Sequence, residues 1–369
     1  MLKTLTALRF PAALAVFLSH AALTRPAAMA LSSGSGGVGF FFLLSGFILT
    51  FNYRDGLDLR RFFAARFARV YPVHICGMVL ALTVLALYGG GPEWNNASSA
   101  ERFLAAGLQA VLLQSWYPSA HIYYGGNGPA WSLSDEAFFY SLFPFALSAI
   151  AFAFRRHRAA TLLLAAGAIW ALLTATLAGV EARFAEFLYV FPPTRFVDFF
   201  IGMLLGSAFV RSKRDARWPI DGTTMEVAAL CGLAIGVALT AYAPPSLQFS
   251  AAMMPFSAAV IFIFAYQRGA ISRFLSSPFL VRLGEASYAF YLLHRPIARA
   301  VEVGLHLGGG VASFLLALAV SVALSLAAFE FVETPLRRII RNRLAPAEPA
   351  GSAANVRAYA AGLRTDAAR

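Results

Sequence analysis

Apolar positions along this chain run in long, nearly unbroken stretches instead of alternating or recurring on one face, the pattern of helices surrounded by hydrocarbon. Ten such stretches stand out, at about 5–24, 38–53, 72–90, 136–154, 160–179, 195–211, 222–242, 250–267, 286–306 and 311–332. Several fall short of the roughly 20 residues that a bilayer crossing needs, a deficit that local thinning accommodates. Residues 103–115 form an eleventh apolar patch, long enough only for an interfacial or re-entrant helix. The expected fold is all-α, a polytopic integral membrane bundle of about ten transmembrane helices over residues 1–337. Residues 338–369, basic and rich in Ala and Pro, are expected to be a disordered tail.

Composition agrees, with 59% hydrophobic and only 13% charged residues. The net charge of +12 would suit a nucleic-acid surface, but its placement argues against one. Arg54, Arg60, Arg61, Arg66 and Arg69 follow the second stretch, Arg155, Arg156 and Arg158 the fourth, Arg211, Lys213, Arg214 and Arg217 the sixth, and Arg268, Arg273 and Arg282 the eighth. The loops between hold mainly Arg25, Arg102 and Arg183. This alternation is the positive-inside pattern and puts both termini in the cytoplasm. A cleaved leader ending at Ala28-Met29-Ala30 is disfavoured by Arg9 and His20 within its apolar core. Asn96-Ala97-Ser98 fits a glycosylation triplet that also arises often by chance. Cys76 and Cys231 lie within apolar stretches and offer no disulfide framework, and no metal-ligand pattern is visible.

The candidate chemistry starts in the first stretch. Ionisable residues are expensive in lipid-facing helices, so Arg9 and His20 mark a protein-lined site. Eleven positions at about 100° each return to within roughly 20° of the start, so both share one face about 16 Å apart along the axis. An imidazole suits general-base work at neutral pH. Arg66 and Arg69, three apart, share a face where bidentate, charge-assisted bonds to phosphate form readily, whereas Arg60 and Arg61 read as cytoplasmic anchors. Glu136, expected at the same outer level as His20, is read as its orienting partner or as a helix N-terminal carboxylate capped by Ser132 or Ser134, with Asp135 a solvated neighbour. Arg195 and Asp198 read as an internal ion pair, and Glu333 as a partner of nearby arginines.

Seven local patterns in order, over residues 5–337, resemble the acyltransferase-3 family of membrane-bound O-acyltransferases. They are Arg9 and His20 in LTALRFPAALAVFLSH, GVGFFFLLSGFIL at Gly37–Leu49, Arg66-Phe-Ala-Arg69-Val-Tyr71-Pro72, Trp131-Ser-Leu-Ser-Asp-Glu136, Arg195-Phe-Val-Asp198-Phe-Phe-Ile-Gly202, Ser287-Tyr288-Ala-Phe-Tyr291-Leu-Leu-His294-Arg-Pro296, and Phe331-Val-Glu333-Thr-Pro335-Leu. The resemblance implies a multi-pass protein of the bacterial inner (cytoplasmic) membrane, without a fused extracytoplasmic hydrolase-like domain. It implies transfer of an acyl group, usually acetyl, from cytoplasmic acyl-CoA to a hydroxyl of an extracytoplasmic glycan or small acceptor, with no metal. His20, Glu136 and His294 are then the expected catalytic residues, with His294 in the acyl tunnel beside the kink of Pro296. Arg9, Arg66 and Arg69 are expected to hold the coenzyme.

One position departs from the family: the residue after the span-nine histidine, more often aromatic or apolar, is Arg295. Arg295, Arg299, Glu302 and His306 follow at steps of four, three and four, one polar helix stripe that should line protein or water. Intrahelical and interhelical pairs (Arg299 with Glu302, Arg295 with Glu136 or Asp198) are one reading. The other is that Arg295 and Arg299 bind an anionic or lipid-linked acceptor. The rival functions are a transporter or proton-coupled channel using the buried charges, and a scaffold or flippase-like subunit of a glycan-export complex. The cytoplasmic arginine pair and the lack of matched broken helices favour the enzyme.

Overall fold

The computed structural model describes residues 2–20, 34–53, 56–212, 220–240, 242–248, 251–307 and 310–345. Arg25, the Ala28–Ala30 run, Arg54, Lys213, Arg214, Arg217 and the tail from 346 lie outside them. The fold is all-α among the described residues, and each of the ten apolar stretches carries a helix: Arg9–His20, Gly34–Asn52, Leu59–Tyr88, Trp131–Ala153, Ala159–Ala178, Pro192–Arg211, Gly222–Thr240, Met254–Ala265, Pro278–Arg299 and Val311–Ala328. Six helices among the described residues are long and apolar enough to cross a membrane, Leu59–Tyr88 and Val311–Leu344 being the longest. Gly36–Asn52 and Met254–Ala265 are apolar but shorter.

Helices extend beyond their apolar stretches where a polar first turn is capped. Leu59–Tyr88 begins in the arginine cluster, with the Asp58 carboxylate accepting from the Arg61 backbone N–H at 3.0 Å. Residues 338–344, assigned above to the tail, are the second half of the helix Thr334–Leu344, whose last carbonyl accepts from Arg60 Nε at 2.7 Å. The span-nine helix carries Pro296 inside it and continues as a π turn over Ala300–Gly304, consistent with the backbone donor that proline removes.

The closest packing joins Gly34–Asn52 to Pro192–Arg211. A Cβ on Gly46 would lie 2.0 Å from the Phe199 carbonyl oxygen, and one on Gly202 2.0 Å from that of Leu43. Small residues let the backbones touch, as helix pairs in hydrocarbon require. Around this seam Phe42, Phe139, Phe199, Phe62 and Phe143 pack as stacked and edge-on rings, Phe42 and Phe139 at 4.9 Å between centroids.

The patch at 103–115 folds as the helix Ser99–Ala110, opened by a capping box in which Ser98 and Glu101 bond reciprocally. Of the glycosylation triplet, Asn96 closes the short helix Pro92–Asn95 and Ser98 caps the start of Ser99–Ala110. The segment that follows turns back into the protein. Gln109 is fully buried, donates to the Asn127 carbonyl at 2.9 Å and accepts from the Asn127 N–H at 3.1 Å. Asn127 Nδ2 in turn donates to the Leu292 carbonyl at 2.9 Å, tying this loop to span nine two residues before His294.

Candidate active site

Two cavities lie toward opposite ends of the helix Arg9–His20. The inner one, about 90 Å³, collects three guanidinium groups from two helices, Arg9 from one and Arg66 and Arg69 from Leu59–Tyr88, around a single carboxylate, Glu136. Arg66 lies over the Tyr140 ring at 5.8 Å, and Tyr140 donates from its hydroxyl to Glu136 Oε2 at 2.7 Å. Arg66 Nε is buried and has no hydrogen-bond partner among the described residues. Arg69 lies over the Tyr288 ring at 5.4 Å and is bonded to the fully buried Glu333, which Arg337 also approaches at 3.7 Å. The cavity therefore holds a net positive charge with at least one guanidinium N–H directed at no protein acceptor. Such a surface suits phosphate oxygens.

Ser132 and Tyr291 line the inner cavity at the end nearer the histidines. Their hydroxyls are 3.0 Å apart, and Tyr291 donates to the Pro129 carbonyl at 2.9 Å. The Tyr291 carbonyl accepts from His294 Nδ1 at 2.7 Å. A carbonyl oxygen only accepts, so His294 carries its proton on Nδ1 and presents a lone pair at Nε2. Against that lone pair, at 3.0 Å, lies His20 Nδ1, with the two rings stacked at 5.2 Å between centroids. His20 must donate there, which leaves its own Nε2 unprotonated. His294 is buried between Phe17, Phe290 and Tyr291, whereas His20 is exposed and lines the outer cavity.

That outer cavity, about 220 Å³, also takes in Arg295, Arg299, Glu302, Glu93, Trp94 and Gly128. Three members of the span-nine stripe thus face one cavity with His20. His306 does not: it stands exposed in the turn after the π segment, with φ of 53°. The expected pairs of the stripe are replaced. Arg299 donates to the carbonyls of Gly89 at 3.3 Å and Tyr88 at 3.0 Å, and Arg295 makes no ion pair with Glu136 or Asp198.

Two further expectations change. Glu136 does not orient His20: it sits in the inner cavity with the arginines and Tyr140, because the helix already begins at Trp131 and carries Glu136 a turn and a half inward. Asp135 is not solvated but fully buried. Its side of the helix faces Pro192–Arg211, and the charges nearest in effect are Arg195 and Asp198. Ser132 bonds Pro129 and Tyr291 and does not cap the helix. Arg195 and Asp198 do pair, at 3.1 Å and almost fully buried. Among residues that sequence reasoning missed, Tyr140 stands four after Glu136, a helical neighbour readable from spacing. Gln109 and Asn127, which hold the outer loop, carry no such signal.

An all-helical body with several membrane-length apolar helices, enclosing polar cavities lined by arginine, carboxylate and histidine, is that of a multi-pass membrane protein. The family whose model matches the chain, over residues 2–330, is described as an acyltransferase domain, and the chain belongs to that acyltransferase-3 family. The chain is similar to the acyltransferase MdmB of Streptomyces mycarofaciens, 31% identical over 81% of this chain and 79% of that protein. It is also similar to the exopolysaccharide production protein ExoZ of Rhizobium meliloti, 29% identical over 87% of this chain and 95% of that one. The O-acetyltransferase OatA of Staphylococcus aureus is 24% identical over 84% of this chain, which spans about half (53%) of OatA's length. No solved structure matches.

Proposed function

We propose that this protein is an O-acyltransferase that moves an acyl group, acetyl above all, from cytoplasmic acyl-CoA to a hydroxyl on an extracytoplasmic glycan or small acceptor. The observation that carries the reading is the pair His20–His294, whose tautomers are set from the Tyr291 carbonyl outward and leave His20 Nε2 as an open base in the outer cavity. His20 Nε2 takes the proton as the acceptor oxygen attacks the thioester carbonyl carbon. The tetrahedral species then collapses, the C–S bond breaks, and the departing thiolate takes that proton back from His20. His294 holds the His20 ring and its tautomer.

On the donor side, Arg66 and Arg69 grip the coenzyme's phosphates, with Arg9 deeper and Tyr140, bonded to Glu136, placing its ring beneath Arg66. The roughly 16 Å between Arg9 and His20 is comparable to an extended pantetheine arm, so a donor anchored inside can present its thioester outside. Arg295 and Arg299 belong to the acceptor side. The positive-inside charge pattern supports both termini and the arginine cavity lying in the cytoplasm of a bacterial inner membrane, with about ten crossings. Residues 1–337 act as one catalytic unit in this reading.

The test is purified protein with radiolabelled acetyl-CoA and de-acetylated surface polysaccharides or small hydroxylated acceptors. Acceptor-dependent thiol release with label on oxygen supports it. Solute or proton flux in sealed vesicles without thiol release would favour the transporter reading instead.

A further inference from the structure

The two arginines of the outer cavity are not equivalent. Arg299 is committed: its Nε and Nη2 hold the Gly89 and Tyr88 carbonyls, clamping the loop after Leu59–Tyr88 to span nine. Arg295 is exposed, next in sequence to His294, and makes no hydrogen bond or ion pair with any described residue. Its Nη1 rests over Gly128, so close that a Cβ there would lie 2.9 Å from it. Gly128 is held by the Gln109–Asn127–Leu292 bonds, so the opposite wall of the cavity approaches the guanidinium without offering it an acceptor. A cation is thus kept beside the base with no counter-charge from the protein.

The cavity's carboxylates stand elsewhere. Glu302 is seven positions beyond Arg295, about 10 Å further along the helix, and Glu93 is on the loop that Arg299 clamps. The order along the cavity is therefore Arg295 nearest His20, then Arg299 with its donors held by neutral carbonyls, then the carboxylates, an arrangement that admits a negative group deep in the cavity at Arg295 and repels one at the carboxylates.

On the reading of this cavity as the acceptor site, we infer that the acceptor carries a single anionic group, a carboxylate of an acidic sugar, next to the hydroxyl that is acylated, and that Arg295 holds it. A guanidinium takes such a carboxylate through two parallel N–H bonds. A glycan phosphate offers the same acceptor oxygens and is the alternative source.

The test is equilibrium binding to the full-length protein in nanodiscs. The probes are a tetrasaccharide with one glucuronate, the same tetrasaccharide carboxyl-reduced to the neutral sugar, and the neutral form bearing one phosphate. The acid should bind at least tenfold more tightly than its reduced form. Arg295→Gln should abolish that ratio, Arg295→Lys should keep part of it, and Arg299→Gln should keep it while weakening both sugars alike. Gly128→Ala, which retains the charge but displaces the guanidinium, should lower the ratio. The phosphate form binding more tightly than the acid would overturn the carboxylate assignment. Equal or undetectable binding of acid and neutral forms, or a ratio that survives Arg295→Gln, would overturn the inference altogether. An intact ratio without any acetyl transfer would instead count against the enzymatic reading.

Discussion

His20 Nδ1 lies 3.0 Å from His294 Nε2, across a separation of 274 positions in the chain, and the rings are stacked. Two neutral imidazoles in this contact form a directional chain anchored on the Tyr291 carbonyl, so the outer nitrogen of His20 is an acceptor by construction. The pair is held by packing of Arg9–His20 against Pro278–Arg299 through Phe17 and Phe290, at 5.7 Å between centroids.

His20→Ala should reduce acyl transfer by ~10²–10⁴ while leaving insertion unchanged, the usual consequence of losing a general base. His294→Phe keeps an aromatic ring but removes the acceptor for His20. It should lower kcat with little change in either KM and displace the acid limb of the pH–rate profile. An unchanged profile would reduce His294 to a packing residue. With labelled acetyl-CoA and no acceptor, no acylated protein should accumulate; label trapped on His20 would make it a carrier instead of a base.

Arg66 and Arg69 should separate by their partners. Arg66→Ala removes an N–H with no protein acceptor, so it should raise the KM for acyl-CoA about 10–100-fold, the worth of roughly 1.5–3 kcal/mol for a charged bond, without lowering Tm. Arg69→Ala strands buried Glu333 and should lower Tm as well. Adding Glu333→Gln should restore Tm but not KM. Rising salt should mimic part of the loss in both.

Arg195→Leu leaves Asp198 buried without its ion pair and should destabilise the protein by about 3–5 kcal/mol, read as unfolding in detergent. A pair contributing nothing to the fold would leave the midpoint unchanged.

A single cysteine at Arg66, in a background without Cys76 and Cys231, should be labelled by an impermeant reagent from the cytoplasmic face, and one at Trp94 from the other face only. Labelling of both from one side would overturn the topology read from the arginines.

Much of the fold and part of the site were legible in the sequence, for identifiable reasons. Long apolar runs have one stable outcome in hydrocarbon, so all ten stretches carry helices, while polar first turns such as Leu59–Arg66 escape a reading by apolarity alone. Arg9 lines one cavity with Arg66 and Arg69, and His20 another with Arg295 and Arg299, a co-location that helical spacing and the cost of charge in a membrane make readable from sequence. Neither sequence reading of Glu136, as a partner of His20 or as an N-terminal carboxylate, gives its place beside Tyr140 and the arginines, because its depth depends on where its helix begins, and Trp131 opens that helix without a side-chain cap. Asp135 could not be read as buried, since what covers it comes from Pro192–Arg211. The His20–His294 contact is purely tertiary.

The most direct test of transfer across the membrane uses sealed vesicles with the protein oriented cytoplasmic face outward and the acceptor enclosed. Labelled acetyl-CoA added outside should place label on the enclosed acceptor, and His20→Ala should abolish it. Label appearing only when donor and acceptor share one side, or persisting undiminished in His20→Ala, would contradict the account.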